Sequence, residues 1–313
     1  MVYTKSFSDI SRADVASAGG KGAFLGELTR HGIPVPPGFV VMTNAYNDFI
    51  NIYALSGRID AVLTALRRGE TSGDAMSEEL TRAILNVAIP PGMESEILAR
   101  HVSLGAHLVA VRSSATSEDN ADRSWAGQLE SYLNVTADRL PEYLKKCWAS
   151  LFSPRAIAYR LHDTADIDSI SVAVVIQEMV NPEVAGIAFS VDPVTEDRED
   201  MIIEAVFGLG ESIVQGQITP DHYRIKKESF LLADAFLSPQ ERGIYRLADG
   251  STGWKPLDPA KASQRKISES ETAKLAELIV TVENIAGFPC DVEWVYKGGQ
   301  FSIVQCRPIT TLS

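Results

Sequence analysis

Two acids and a Gln/Arg pair near the end of the chain carry the strongest chemical signal. Asp291-Val292-Glu293-Trp294-Val295-Tyr296-Lys297 alternates polar with apolar residues, Gly298-Gly299 follows, and Gln300 to Pro308 returns with Gln305 and Arg307 at the same alternating spacing. Side chains on a strand switch faces at every residue, so Asp291 and Glu293 share a face, and so do Gln305 and Arg307. Four polar groups at buried-type positions are costly unless something compensates them. A divalent cation together with phosphate would do so: hard oxygen ligands suit Mg²⁺, and a guanidinium suits phosphate. An edge hairpin whose polar face is simply wet fits the same residues.

Parity decides which residues meet. A two-residue Gly298-Gly299 turn would pair Lys297 with Gln300 and set Glu293 against Val304, which puts the acids and the Gln/Arg pair on opposite faces. A three-residue loop, Gly298 to Gln300, would pair Lys297 with Phe301, Glu293 with Gln305 and Asp291 with Arg307. The three-residue loop is the expectation, because a slip of one residue moves every side chain to the other face and only this register assembles a site.

Other stretches offer complementary chemistry, each with a plainer reading beside it. Gly19-Gly20-Lys21-Gly22 opens a helix with backbone N–H groups and a cation, a phosphate cradle without Walker A spacing, or a structural Gly turn. Arg112 ends the apolar run Leu108 to Val111 and would grip phosphate, or pair with Glu118 or Asp119. The small polar loop from Ser113 to Gln128 is either a lid over phosphates or a surface loop. Gln177-Glu178-Met179-Val180 would present backbone groups to an adenine edge, or be the end of a buried strand. Glu183 would reach ribose hydroxyls, or be a solvated turn carboxylate. The five histidines, His31, His101, His107, His162 and His222, show no metal-pair spacing and read as structural or surface residues.

The elements that must position these groups are mixed. The N-terminal Gly-rich turn enters a short helix, the stretch from Gly57 to Arg100 reads as amphipathic helix, and Asp138 to His162 reads as the longest helix. Apolar strands lie at Leu108–Arg112, Val172–Val180, Gly186–Ser190 and Met201–Val206, and a polar, weakly patterned region runs from Lys226 to Ser270. Without strict βαβ alternation this favours an α+β, or mixed α/β, fold in at least two lobes. The break after Val180 sets the expected division at 1–180 and 181–313. The chain has 313 residues, a net charge of −12 and 45% hydrophobic residues, the balance of a globular protein with ample core and no general affinity for nucleic acid. Cys147, Cys290 and Cys306 are odd in number and lack C-x-x-C spacing, which argues against a disulfide framework or zinc cluster and for a reducing cytoplasm. No signal peptide or membrane-length apolar run is present in the sequence, so no membrane association is expected.

Taken in order, Gly19-Gly20-Lys21-Gly22, Val35-Pro36-Pro37-Gly38-Phe39, Ala110-Val111-Arg112-Ser113-Ser114-Ala115-Thr116, Ala126-Gly127-Gln128, Gly208-Leu209-Gly210-Glu211 and Asp291-x-Glu293…Gln305-x-Arg307-Pro308 resemble one family. It is the N-terminal nucleotide-binding domain of the phosphoenolpyruvate synthase and pyruvate phosphate dikinase family, over essentially the whole chain. Cys147 to Tyr159 is especially similar to the family's rifampicin phosphotransferases. The resemblance implies an ATP-grasp fold with ATP between two lobes. It implies that Lys21 and Arg112 contact phosphates, with Thr116, Gly127 and Gln128 in the nucleotide-binding set. Gln177, Glu178, Met179 and Val180 would form the adenine hinge, and Glu183 would face the ribose. Glu293 and Gln305 would hold Mg²⁺ with Asp291 assisting, while Arg307 would stabilise the transferred group.

The departure from the pattern is a missing Thr-Ser-His, the context of the family's phosphorylatable histidine. The chain is therefore expected to need a separate subunit or domain that carries the His and the acceptor site. Either it is a domain of a longer enzyme or it is the ATP-binding subunit of a split aryl-phosphate synthase, and the latter is the expectation. That chain would transfer the ATP β-phosphoryl group to the partner His, leaving AMP and phosphate, for onward delivery to phenol or cresol. The rivals are the same half-reaction serving pyruvate or a rifamycin, a regulatory nucleotide-binding subunit without turnover, and an acyl-phosphate-forming ligase.

Overall fold

The apolar runs become antiparallel sheets, one large sheet in each of two units. The computed structural model describes residues 2–116, 119–120, 123–124, 130–162 and 171–312. The first unit comprises Met1–Glu27 and Pro37–Met179, the second Leu28–Pro36 and Val180–Ser313. The single cut near residue 180 leaves out the Leu28–Pro36 excursion. That segment belongs with the second unit, where the Pro34 carbonyl accepts the Ile303 N–H at 2.8 Å.

Among the described residues of the first unit, a five-stranded sheet runs in the order Thr4–Ser6, Gly38–Val41, Val172–Glu178, Val109–Ala115, Ser131–Val135. Two of its three inner strands, Val172–Glu178 and Val109–Ala115, contain apolar runs picked out by the sequence, and every residue of Val109–Ala115 is buried. One face is sealed by helices. Trp148, Phe49, Leu80 and Ile84 are at most 1% exposed, with the Trp148 and Phe49 rings 4.7 Å apart. Burying a large apolar side chain in this way contributes roughly 1.5–3 kcal/mol. The helical run expected from 57 to 100 divides into Leu55–Arg67, Gly73–Leu85 and Pro91–Leu104. The single long helix expected from Asp138 to His162 does not form. Leu140–Ala149 tightens into the 3-10 turn Ser150–Phe152, Ser153 turns extended, and Pro154 opens a new helix, Pro154–His162. The residue before a proline disfavours helical geometry, which is why the break falls there. Leu144, Trp148, Leu151 and Phe152 nevertheless all face the core.

The second unit's six-stranded sheet runs Leu231–Phe236, Asp221–Lys226, Asp200–Phe207, Val184–Phe189, Cys290–Lys297, Gln300–Pro308. Helix Glu269–Ala286, the longest among the described residues, starts at a Ser268/Glu271 capping box and buries Leu275, Ile279 and Val282. The Tyr296 hydroxyl donates to Glu271 on this helix, so the helix covers the face that holds Val292, Trp294 and Tyr296. The opposite face holds Asp291 and Glu293. The weakly patterned stretch after Lys226 closes on a buried ion pair: Lys266 Nζ lies 2.8 Å from Asp221 Oδ1, with side chains 1% and 0% exposed. Asp221 also accepts the Ser238 and Lys266 N–H groups, which compensates the burial of the charge. No single helix among the described residues is long and apolar enough to cross a membrane.

Candidate functional site

In the second unit the closing hairpin places Asp291 opposite Arg307 and Glu293 opposite Gln305, the expected partners. The route to that register is not the expected one. The turn is two residues long: Lys297 pairs with Gln300 and Tyr296 with Phe301, rather than Lys297 with Phe301. Gly298 (φ +58°) and Gly299 (φ +82°) are both left-handed, as a type I′ turn requires. A bulge then corrects the phase. Trp294 pairs with Ile303 and Glu293 with Gln305, so Val304 is the extra residue. One inserted residue returns Gln305 and Arg307 to the acids' face.

Arg307 donates to Asp291 Oδ2 from Nε at 2.8 Å, with Nη2 at 2.7 Å from the same oxygen. Asp291 is only 8% exposed, and its Oδ1 is buried without a hydrogen-bond partner. Burial raises the Asp291 carboxyl above the ordinary carboxylate range. The Arg307 guanidinium opposes this without overcoming it, and Glu293 and Glu204 push the same way as burial. An ionised carboxylate held in surroundings that disfavour its charge, with one oxygen unclaimed, is chemically suited to a cation. Asp291, Glu293 and Gln305 are all hard oxygen donors, so the set fits Mg²⁺. Among the described residues no three His, Cys, Asp or Glu side chains gather closely enough to hold a metal by themselves. Gln305, phosphate oxygens and water would have to complete the coordination, in keeping with the way Mg²⁺ binds nucleotides.

In the first unit the Gly-rich segment folds onto the strand that carries Arg112. Gly19 leaves helical geometry at φ +69° and ψ 169° inside Val15–Arg30, so the helix proper begins with Gly20-Lys21-Gly22. Ser114 holds this corner. Its hydroxyl donates to the Ala18 carbonyl at 2.9 Å and accepts the Gly22 N–H at 3.1 Å. Lys21 Nζ donates to the Ser113 carbonyl at 2.8 Å. Register places Ala110, Arg112 and Ser114 on one face with Gln177 and Val175 of the neighbouring strand. Arg112 and Gln177 thus share one side of this sheet, Arg112 9% and Gln177 2% exposed, while Lys21 reaches the strand at the Ser113 carbonyl. Thr116 follows the strand, its N–H donating to the Ser171 carbonyl at 3.3 Å.

Comparison with known proteins places the whole chain in one family. Residues 15–313 match the pyruvate phosphate dikinase, AMP/ATP-binding domain. The chain belongs to that family. The family match agrees with the ATP-grasp-type α+β class expected from the sequence. The chain is 43% identical over 312 residues to a probable phosphoenolpyruvate synthase of Archaeoglobus fulgidus, covering 97% of this chain and 41% of that protein. A probable phosphoenolpyruvate synthase of Methanocaldococcus jannaschii is 37% identical, over 100% of this chain and 27% of its own length. A rifampicin phosphotransferase of Streptomyces sviceus is 37% identical, over 99% of this chain and 36% of its own length. The chain thus spans less than half the length of these relatives.

For this member of the dikinase ATP-binding family, the remaining expected residues fall as follows. Gln177, Glu178 and Met179 end the first unit and Val180 opens the second. The Glu178 N–H already donates to the Pro37 carbonyl at 2.8 Å and the Met179 N–H to the Leu108 carbonyl at 3.0 Å, so these two amides serve the fold. Glu183 accepts the Gly298 N–H at 3.1 Å, which ties it to the hairpin turn. Gly298 lies five residues along the chain from Glu293, roughly 16 Å at 3.3 Å per residue. The expected lid from Ser113 to Gln128 opens instead on the buried strand, which holds Ser113 to Ala115, and Asp119–Asn120 pairs with Arg123–Ser124; Gly127 and Gln128 lie outside the described residues, as does Glu118. Cys147 is fully buried, and burial pushes its thiol up to about 12, which leaves it unreactive.

Two further polar residues share this face: Glu204, a lone acid inside an apolar strand, and His222, which the sequence reads as a structural or surface residue. His222 Nδ1 lies 3.8 Å from Glu204, on the same sheet face as Glu293. The available signal was a lone acid within Met201–Phe207, but its face became known only with the strand order.

Proposed function

We propose that this chain binds Mg-ATP and transfers the β-phosphoryl group to a histidine on a partner subunit or domain. The His nitrogen attacks the β-phosphorus, AMP leaves with the α–β bridging oxygen, and water releases the γ-phosphoryl group as phosphate. The partner passes the phosphoryl group to a small-molecule acceptor, a phenol such as phenol or cresol, in the cytoplasm. The observation that carries this reading is the hairpin face on which Asp291 meets Arg307 and Glu293 meets Gln305, with one Asp291 oxygen buried and unclaimed. Mg²⁺ held by Glu293 and Gln305, with Asp291 beside them, would neutralise phosphate oxygens. Arg307 would offset charge on the transferred group, and Lys21 and Arg112 would hold the flanking phosphates, so catalysis is mainly positioning and charge stabilisation.

The names of the relatives favour a second reading for the acceptor alone: pyruvate, as in a phosphoenolpyruvate synthase, or a rifamycin, as in a rifampicin phosphotransferase. One experiment tests the shared half-reaction. The chain is incubated with candidate His-domain partners and ATP labelled at the β or the γ position. Label on a partner His from the β position only, with AMP formed, is the expected result. ADP formation without a partner overturns the reading.

A further inference from the structure

The outermost strand pair of the second unit holds an apolar cluster in water. Leu231, Phe236 and Leu237 are 68%, 60% and 41% exposed. Strand Leu231–Phe236 pairs with Asp221–Lys226, Leu231 against Lys226 and Phe236 against His222. Five residues apart, Leu231 and Phe236 would lie on opposite faces of a regular strand. A second bulge brings them together. Arg224 pairs with Asp234 and Ile225 with Leu232, so Ala233 is the extra residue, and Leu231, Asp234 and Phe236 share a face with Lys226, Arg224 and His222. His222 pairs in turn with Glu204, Glu204 with Ile187 and Ile187 with Glu293, so this is the face that holds Glu293 and Gln305. The other face serves the fold: Tyr223 and Ile225 are fully buried, and helix Glu269–Ala286 packs against both strands. The polar side chains beside the cluster are already paired, Arg224 and Lys226 with Asp200 and His222 with Glu204. A patch that is apolar at its centre and polar at its rim has the composition of a protein-binding surface. The strand edge itself is not what it offers. The Ala235 N–H donates to Asp234 Oδ1 at 2.9 Å and the bulge blunts the edge, which disfavours strand addition by a second copy and leaves the side chains on the face as the contact.

We propose that Leu231 and Phe236 dock the partner subunit or domain that carries the phosphorylatable histidine, which meets them with apolar side chains of its own. The proposal rests on the reading of this face as the site of β-phosphoryl transfer, since the partner must then come to this face to bring its histidine to the phosphorus. Phe236 is four inter-strand steps from Glu293, about 19 Å between Cα atoms. A standard interface of about 800 Å² per partner is about 32 Å across if round, so one docked partner covers the metal position and the outer strand together. The relatives have the chain to supply such a partner: more than half of the Archaeoglobus fulgidus protein lies outside the 41% that this chain matches.

The test uses the full chain with the partner that takes label from β-labelled ATP, and follows the transfer rate against partner concentration. In Phe236→Ser, and more so with Leu231→Ser added, the partner concentration for half-maximal rate is expected to rise at least ~10-fold, while the rate at saturating partner and the affinity for a non-hydrolysable ATP analogue stay within about two-fold of wild type. Phe236→Leu, which restores an apolar side chain, is expected to dock like wild type. Circular dichroism and a thermal melt establish that each variant is folded. An unchanged half-maximal concentration in the folded double variant, or a weakened grip on the ATP analogue, overturns the docking role and leaves the transfer reading standing. A wild-type dimer that sedimentation shows to dissociate in Phe236→Ser gives the patch to a second copy and overturns it equally. If no partner takes the β label, the transfer reading fails and the docking role with it.

Discussion

Replacing Gly19 by Ala tests whether the Gly-rich corner is held by Ser114 as described. Gly19 sits at φ +69° and ψ 169°, a region almost confined to glycine. Forcing another residue there costs about 1–3 kcal/mol. The new Cβ would also stand 2.2 Å from the Ser114 carbonyl oxygen and 2.3 Å from its hydroxyl. Ser114 is fully buried in a central strand, so the Gly segment must retreat, by roughly 1 Å to reach ordinary contact. That movement breaks the 3.1 Å bond from Gly22 N–H to the hydroxyl and the 2.9 Å bond from the hydroxyl to Ala18. A buried hydroxyl left unpaired costs about 1–3 kcal/mol more. The sum is about 4 kcal/mol, a large share of a typical total of about 5–15 kcal/mol. In urea, with a slope near 2 kcal/mol/M, the midpoint should fall by about 2 M. Lys21 moves with the segment, and a displacement of about 1 Å at a positioning group costs on the order of 100-fold in turnover. A Gly19→Ala chain that unfolds within about 1 kcal/mol of wild type and binds ATP within about two-fold would refute the account of this corner.

Asp291→Asn should separate stability from metal binding. The folded-state carboxyl is raised, chiefly by burial, so its favourable contribution is present below its unfolded pKa and lost as pH rises through the folded value. At neutral pH the ionised group therefore weakens the fold. The Asn variant should melt at or above the wild-type temperature at pH 7, with the difference shrinking toward about pH 4, while Mg²⁺-nucleotide affinity drops at least ~10-fold by calorimetry. A variant that melts lower at pH 7, or keeps its Mg²⁺ affinity, contradicts this. Deletion of Val304 removes the bulge and leaves a regular ladder in which Glu293 still faces Gln305 and Asp291 still faces Arg307. The deleted chain should fold and retain metal-dependent nucleotide binding. Loss of that binding in a folded chain would show that the bulge's added twist, rather than its count of residues, matters.

Much of this site was legible one strand at a time. The two-residue period of a strand makes Asp291 and Glu293 neighbours on one face, and Gln305 and Arg307 neighbours on one face, whatever the fold around them. The Gly19-Gly20-Lys21-Gly22 turn and the apolar run into Arg112 were equally local. The phase between the two hairpin strands was not local. Gly298-Gly299 chose the two-residue turn that suits two left-handed glycines, and the bulge at Val304 restored the pairing that a longer loop had been expected to provide. The expected partners formed by a different mechanism, since turn and bulge are set by the twist of the whole sheet as well as by the residues they contain.

What lay beyond the sequence was every relation between distant strands. Glu204 looked like an isolated acid in a buried run until Val184–Phe189 was found between it and the hairpin, which puts Glu204 and Glu293 in one row. Leu28–Pro36 could not be assigned to the second unit before Ile303 was seen to reach Pro34. The long helix after Asp138 fell to a Ser153-Pro154 break whose apolar periodicity had run straight through it. By itself the sequence determined which residues are candidates for the chemistry, because residue type and the strand period are local properties. Tertiary structure alone decided which of them face one another, because strand order, phase and burial depend on contacts between segments a hundred residues apart.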